Sequence, residues 1–172
     1  ASERITEMGP FMTGGSMIKT VTTDGSTYQN GHTMFETGTP RIAEAIGWGA
    51  AVEWLSQFEM KDIHNHVHQI ASWTGREMNK IPGIKIFGQS SPKNSSGAVS
   101  FLYETIQSQE LALLRDEGGV AVRTGHHCAH PLIGAVGVPS TNSASFWIYN
   151  AQEEVGSFIS HLKFLCQGVA QD

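Results

Sequence analysis

The stretch AVSFLYETIQSQELALLRDEGGVAVRTGHHC (residues 98–128) changes hydrophobic period twice and ends on a cysteine. Residues 98–103 and 118–123 are typical of strands, whereas residues 107–117 are typical of a helix. The loop that follows, RTGHHCAHPL (residues 123–132), puts one cysteine among three histidines. The sequence therefore predicts a strand–helix–strand unit that presents Cys128 on a loop.

The segments around this unit extend the same mixture of helices and strands. Apolar residues at helical spacing predict a helix over 61–80 and a last helix over 151–169, and alternation predicts strands at 84–87 and 144–149. The turn-rich segment 88–97 reads as a loop. The inward stripes are Ile63, Val67, Ile70, Thr74 and Met78 in the first helix, and Val155, Phe158, Ile159, Leu162, Leu165 and Val169 in the last. We expect an α+β fold, a small antiparallel or mixed sheet with helices packed on one face.

The first third of the chain has weaker patterns. Residues 2–8 read as the end of a helix, residues 16–22 as a strand, and Thr39-Pro40 as the start of a helix. In that helix Ile42, Ile46, Gly49, Val52 and Leu55 fall on one face, and the small residues of 47–51 predict close packing against another element.

Composition excludes several classes of function. The net charge is −5, the pI is near 5.9 and no basic stripe occurs, so nucleic acid is not an expected partner. No apolar run is long enough to span a bilayer, and no secretion signal is visible. Two cysteines do not make a disulfide framework in 172 residues. We expect a soluble, cytoplasmic protein.

The histidines raise the alternative of a zinc site. His126, His127, Cys128 and His130 are dense, and HNHVH (residues 64–68) adds donors. Structural zinc sites, however, draw ligand pairs at fixed spacing from two segments, and no second cysteine pair is present. We therefore predict no native metal site and a solvated surface for His64 and His68.

The two cysteines invite different interpretations. Cys166 falls beside the apolar stripe of the last helix, where a packed, inert thiol is expected. Cys128 lies in a loop where Arg123 and a protonated His126 or His127 would favour the thiolate form. A lone loop cysteine is also often incidental, so both a nucleophilic and an incidental thiol remain open.

Three motifs resemble one enzyme family. AVRTGHHCAHPL, FETGTP followed by IGWGAA, and VPSTNSASFWIYNAQEEV resemble, in order and spacing, motifs of the Suf-type (group II) cysteine desulfurases and selenocysteine lyases of the class V aminotransferase group. The resemblance covers essentially the whole chain but only the C-terminal two-fifths of the family's usual length. It implies an edge piece of the large domain that binds pyridoxal phosphate (PLP) at 1–57, and the C-terminal small domain at 58–172.

The resemblance also implies roles for single residues. In the family a PLP-bound cysteine gives its sulfur to a loop cysteine, which by position is Cys128. Arg123 and His127 would shape its loop, and Thr39 would reach the PLP phosphate of the neighbouring subunit of a dimer. His130 stands where the family usually has a non-basic residue.

Two features of the family are missing. None of the six lysines, at positions 19, 61, 80, 85, 93 and 163, follows a histidine as the Schiff-base lysine does. The position of the family's carboxylate-binding arginine is Ser143, which supplies neither charge nor a bidentate fork. We therefore expect that the chain alone binds no PLP and is inactive in desulfuration.

Three interpretations remain open. Cys128 carries a persulfide between proteins, with a desulfurase or a sulfur acceptor as partner; or the chain is a non-catalytic dimerisation or partner-binding module; or it is part of a PLP enzyme completed by another chain. Because a part of a larger fold exposes apolar surface, we expect a homo-oligomer, at least a dimer, that uses the helix at 40–57.

Overall fold

The structure is a computed structural model that describes residues 2–5, 7–88 and 97–169. The chain forms two compact units, Ala1–Gln57 and Phe58–Asp172. The turn-rich loop predicted at 88–97 falls almost wholly outside the described residues.

The first unit contains short elements and one long helix. Helix α1 spans Ser2–Ile5, strands β1 (Ile18–Val21) and β2 (Ser26–Tyr28) form an antiparallel hairpin, a 3₁₀ turn covers Gly31–Phe35, and helix α2 covers Ile42–Leu55. The hairpin turn is closed by the hydrogen bond from the Thr22 N–H to the Gly25 carbonyl, at 2.8 Å. The predicted strand and its Asp24-Gly25 turn are therefore confirmed.

Helix α2 is apolar on every side, and none of its residues is buried. Ile46 and Trp48 are 68% and 74% exposed, and a Cβ added at Gly47 or Gly49 would meet no atom within 4 Å. The prediction that residues 47–51 pack closely against another element is therefore wrong for the described structure. A helix with apolar residues all round is typical of the interior of a larger domain.

The second unit is a four-stranded antiparallel sheet with three helices packed on one face and a short helix on the other. The strands are β3 (Ile84–Phe87), β4 (Ala98–Tyr103), β5 (Arg123–Gly125) and β6 (Thr141–Ser145), in the spatial order β3-β4-β6-β5. The helices are α3 (Met60–Met78), α4 (Ser108–Glu117), α5 (His130–Val136) and α6 (Gln152–Val169). The predicted α+β fold is confirmed.

The core lies on the face of the sheet that α3, α4 and α6 cover. Strand β4 alternates strictly, with Val99, Phe101 and Tyr103 buried among the helices. All five residues of the predicted α3 stripe are buried. The first four residues of the α6 stripe are also buried, and Leu165 is half-buried, whereas the side chain of Val169 lies outside the description. Cys166 is 4% exposed, as expected of a packed thiol.

Two strands are displaced from their predicted positions. The strands predicted at 118–123 and 144–149 are found at Arg123–Gly125 and Thr141–Ser145, and residues 146–150 turn instead, closed by Asn150 Oδ1 at 2.7 Å from the Trp147 N–H. Gly118 packs so tightly on the His161 ring that an added Cβ would lie 2.3 Å from it. This contact places Gly118 against α6, and the β5–β6 ladder begins at Arg123.

The unpaired segments border a cavity of about 440 Å³. Continuing the β5–β6 register would pair Val122 with Ala144 and Val120 with Phe146, yet these residues line the cavity instead. The sheet is therefore open at this end.

No helix among the described residues is both long enough and apolar enough to cross a membrane.

Gly97 lies in close contact with α3, and its replacement should be costly. An added Cβ would lie 2.3 Å from Val67 Cγ1 and 2.9 Å from the Phe146 carbonyl oxygen. We expect Gly97→Ala to lower the free energy of unfolding by about 1–3 kcal/mol because a buried β-branched side chain and backbone must move. The matched control is Gly156→Ala inside α6, where nothing lies within 4 Å; it should raise stability by up to about 1 kcal/mol. Denaturant titration measures both, and equal effects would contradict the packing.

Candidate active site: the Cys128 turn

One row of side chains crosses all four strands on the face of the sheet away from the core. Phe87 lies opposite Ser100, Ser100 opposite Ser143, and Ser143 opposite Arg123. Residues directly opposite in an antiparallel sheet project to the same side. Ser143 therefore lies beside the backbone of Arg123, and the Arg123 side chain projects to the same face of the sheet.

Helix α5 partly covers this face and leaves a cavity of about 350 Å³. Leu132, Ile133 and Val136 form its apolar wall, and Arg123 and Ser143 contribute polar groups. A concave site with an apolar wall and a few converging polar groups is the usual form of a small-molecule site.

Cys128 lies on a strained turn between β5 and α5. The Ala129 N–H donates to the His126 carbonyl at 2.9 Å, which closes a four-residue turn. Its two central residues both have positive φ, 54° at His127 and 60° at Cys128. Such a turn favours Asn and Gly at these positions, and each L-residue there costs roughly 1–2 kcal/mol. Surrounding contacts must therefore hold the turn.

His127 supplies one of these contacts. Its Nε2 lies 3.0 Å from both the carbonyl oxygen and Oγ1 of Thr141, a residue that is only 2% exposed. Thr141 lies opposite Gly125 at the end of the β5–β6 ladder. The His127 side chain therefore ties the turn to β6.

A second contact joins the two flanks of the turn. The imidazole rings of His126 and His130 stack nearly parallel, with their centroids 3.9 Å apart. His130 is the first residue of α5, so the stack fixes the helix to the residue that opens the turn.

The thiol itself is exposed and lies next to a cation. Arg123 Nη2 is 3.7 Å from Cys128 Sγ. The turn therefore presents the Cys128 sulfur to solvent beside a fixed positive charge.

The structure brings together some of the predicted site residues and not others. Cys128, Arg123 and His127 meet in the second unit, whereas Thr39 lies exposed in a bend of the first unit. Ser143 lines the cavity at the position predicted to lack the arginine.

Sequence reasoning missed Thr141 and the helix α5. Pro131 in the first turn of α5 and Gly137 at its end, with φ 75°, are the usual signals of a short helix, but the density of histidines in this segment obscured them. Nothing in the sequence around Thr141 indicated that it anchors the turn.

The remaining histidines form no metal cluster. His64 and His68 stack at 5.9 Å on α3, with His64 exposed and His68 half-buried, which corrects the prediction of a solvated surface for both. Within the described ranges no group of three or more His, Cys, Asp or Glu side chains is placed to hold a metal ion.

The sequence is similar to known cysteine desulfurases. It is 35% identical over 161 residues to a probable cysteine desulfurase of Streptomyces coelicolor. This alignment covers 94% of this chain and 38% of that protein. A probable cysteine desulfurase of Xylella fastidiosa is 40% identical over 160 residues, again with 93% of this chain and 38% of the relative.

The fold is similar to a solved enzyme as well. The apo structure of the cysteine desulfurase of Thermococcus onnurineus superposes with a TM-score of 0.86 at 30% identity, over 96% of this chain and 41% of that one. The chain thus spans about two fifths of the length of the relatives it matches. Residues 2–158 match the family described as Aminotransferase class-V, and the chain therefore belongs to that family.

Proposed function

We propose that Cys128 accepts sulfur and carries it as a persulfide, as the sulfur-bearing part of a cysteine desulfurase fold. The observation that carries this proposal is the strained turn, where two non-glycine residues with positive φ hold an exposed thiol 3.7 Å from a guanidinium. Strain of this kind persists where the side chains have a task that glycine cannot perform. The similarity to cysteine desulfurases supports the same chemistry.

The transfer step needs no oxidant. The Cys128 thiolate attacks the terminal sulfur of a donor persulfide, R–S–S–H, and a new S–S bond forms as the donor bond breaks. The donor leaves as the thiolate R–S⁻, and the terminal proton stays on the transferred sulfur or goes to solvent. Arg123 Nη2 donates a hydrogen bond to the Cys128 sulfur at 3.7 Å, while His127 keeps the turn in place.

This chain's own residues do not fit PLP. The cofactor requires a lysine for its Schiff base and a cradle for its phosphate. In the unit that holds Thr39 the sequence has only Lys19, which is exposed on β1, and the Thr39 hydroxyl is itself exposed. We infer that the chain alone neither holds PLP covalently nor releases sulfur from cysteine, and that a desulfurase or another persulfide protein supplies the sulfur.

A second function is favoured by helix α2. Its exposed apolar side chains make an association surface, so the chain also serves in this proposal as a homo-oligomerisation module, at least a dimer. An exposed free thiol persists in a reducing compartment, so we propose the cytoplasm.

The persulfide is tested by intact-protein mass spectrometry. After incubation with glutathione persulfide, the chain should gain one sulfur; Cys128→Ala should lose the gain, and the buried-thiol control Cys166→Ala should keep it. With cysteine and PLP alone, no alanine should form. Alanine release, or a sulfur gain that survives Cys128→Ala, would contradict the proposal.

The strain is tested by stability. Cys128→Gly should be about 0.5–1 kcal/mol more stable than Cys128→Ala. Glycine adopts positive φ without a Cβ clash, and this gain is partly offset by the larger conformational entropy that glycine loses on folding. The neighbouring control is Ala129→Gly, at φ −126°, which should lower the stability instead. Chemical denaturation measures all three variants, and a Cys128→Gly variant weaker than Cys128→Ala would remove the strain argument.

The oligomer is tested by light scattering across a range of concentrations. The chain should be at least a dimer, and Trp48→Glu on α2 should shift it towards monomer, because a buried charge opposes association. Phe164→Glu, which changes a 72% exposed residue of α6, is the matched control and should leave the mass unchanged. A monomer at every concentration would be the contrary result.

A further inference from the structure

We propose that His127 is a positioning residue that sets Cys128 against Arg123 through its Nε2–H, and that it does not exchange a proton with the thiol. The inference deepens the persulfide proposal and rests on it. It concerns how the site holds the Cys128 sulfur in position, and it assigns this task to Nε2 of His127.

The hydrogen-bond partners fix the tautomer of His127. Nε2 lies 3.0 Å from the carbonyl oxygen of Thr141, and a carbonyl oxygen can only accept. The proton is therefore on Nε2, which donates to Thr141, where Oγ1 at 3.0 Å is a second acceptor.

The second ring nitrogen of His127, Nδ1, is not placed for proton transfer. Nδ1 of His127 is buried and has no hydrogen-bond partner within the described part of the chain. Neither ring nitrogen is therefore placed to exchange a proton with the Cys128 sulfur, because Nε2 is bonded to Thr141 and Nδ1 contacts no polar partner among the described residues.

The tie controls the geometry at the sulfur. Thr141 is opposite Gly125, and Arg123 is opposite Ser143 on the same strand, so both Cys128 and its cation are held relative to β6. Without the His127 bond, two residues with positive φ are free to relax. Relaxation is then expected to move Sγ away from Arg123, because the turn sets the position of Sγ for the contact at 3.7 Å.

The experiment measures how the Arg123 guanidinium affects the reactivity of the Cys128 thiol, and it does not measure overall activity. Cys128 of the full chain is alkylated with iodoacetate and with iodoacetamide, and peptide mass spectrometry gives the ratio of the two rates. A cation about 4 Å away favours the anionic reagent by about fivefold. Arg123→Gln sets the ratio expected without the cation.

Two variants separate positioning from proton transfer. In His127→Gln the side-chain amide nitrogen reaches as far as Nε2, and the ratio should stay within about twofold of that of the unmodified chain. In His127→Asn the amide reaches only as far as Nδ1, and the ratio should fall to that of Arg123→Gln. Thr141→Val, which keeps the carbonyl acceptor, should leave the ratio nearly unchanged and serves if His127→Asn does not fold.

Three results overturn the inference: a His127→Gln ratio at the Arg123→Gln level, a loss of the ratio in Thr141→Val, or no difference between the unmodified chain and Arg123→Gln. Failure of the persulfide proposal is distinguishable. In that case the ratios follow the expected order, yet glutathione persulfide adds no sulfur to Cys128.

Discussion

The pairing of β4 with β6 determines which chemistry faces which side of the sheet. Their register sets Phe101 opposite Asn142 towards the helices, and Ser100 opposite Ser143 towards the cavity. Because side chains alternate with a period of two, a slip of one residue would exchange the two sets. Burial of Val99 and Phe101, both fully buried, specifies the register. The core thus indirectly fixes the row that ends at Arg123.

Helices α3 and α6 of the second unit follow from the sequence because their apolar period is long and clear. The stripe of α3 is buried in full, and the stripe of α6 differs only at its end. Strand positions are harder to predict, because alternation shows that a segment is extended and not where its partner begins. Val120 and Val122 carry the right pattern, yet the pairing of β5 with β6 begins only at Arg123. Helix α2 shows a second limit: its apolar residues indicate burial, but no pattern within the chain says what covers them.

The candidate site was only partly predictable for a related reason. Cys128, Arg123 and His127 are neighbours in sequence, so one loop revealed them together, and the resemblance to cysteine desulfurases gave each a role. One of the groups that hold this loop comes from elsewhere in the sequence. Thr141 is fourteen residues from His127, and a threonine at the start of a strand carries no signal of its function. The φ values of 54° and 60° are likewise a property of the folded turn and are not visible in the residue types.

Positive φ at two successive L-residues has a mechanical consequence. Few alternative backbone states lie nearby for such residues. On one side Gly125 ends a strand, and on the other His130 begins a helix, so neither flank offers a long slack segment. The Cys128 sulfur therefore lies on a short, stiff loop rather than on a long, mobile one. Because this sulfur is exposed, a reaction partner reaches it from solvent, in the one orientation that the turn sets.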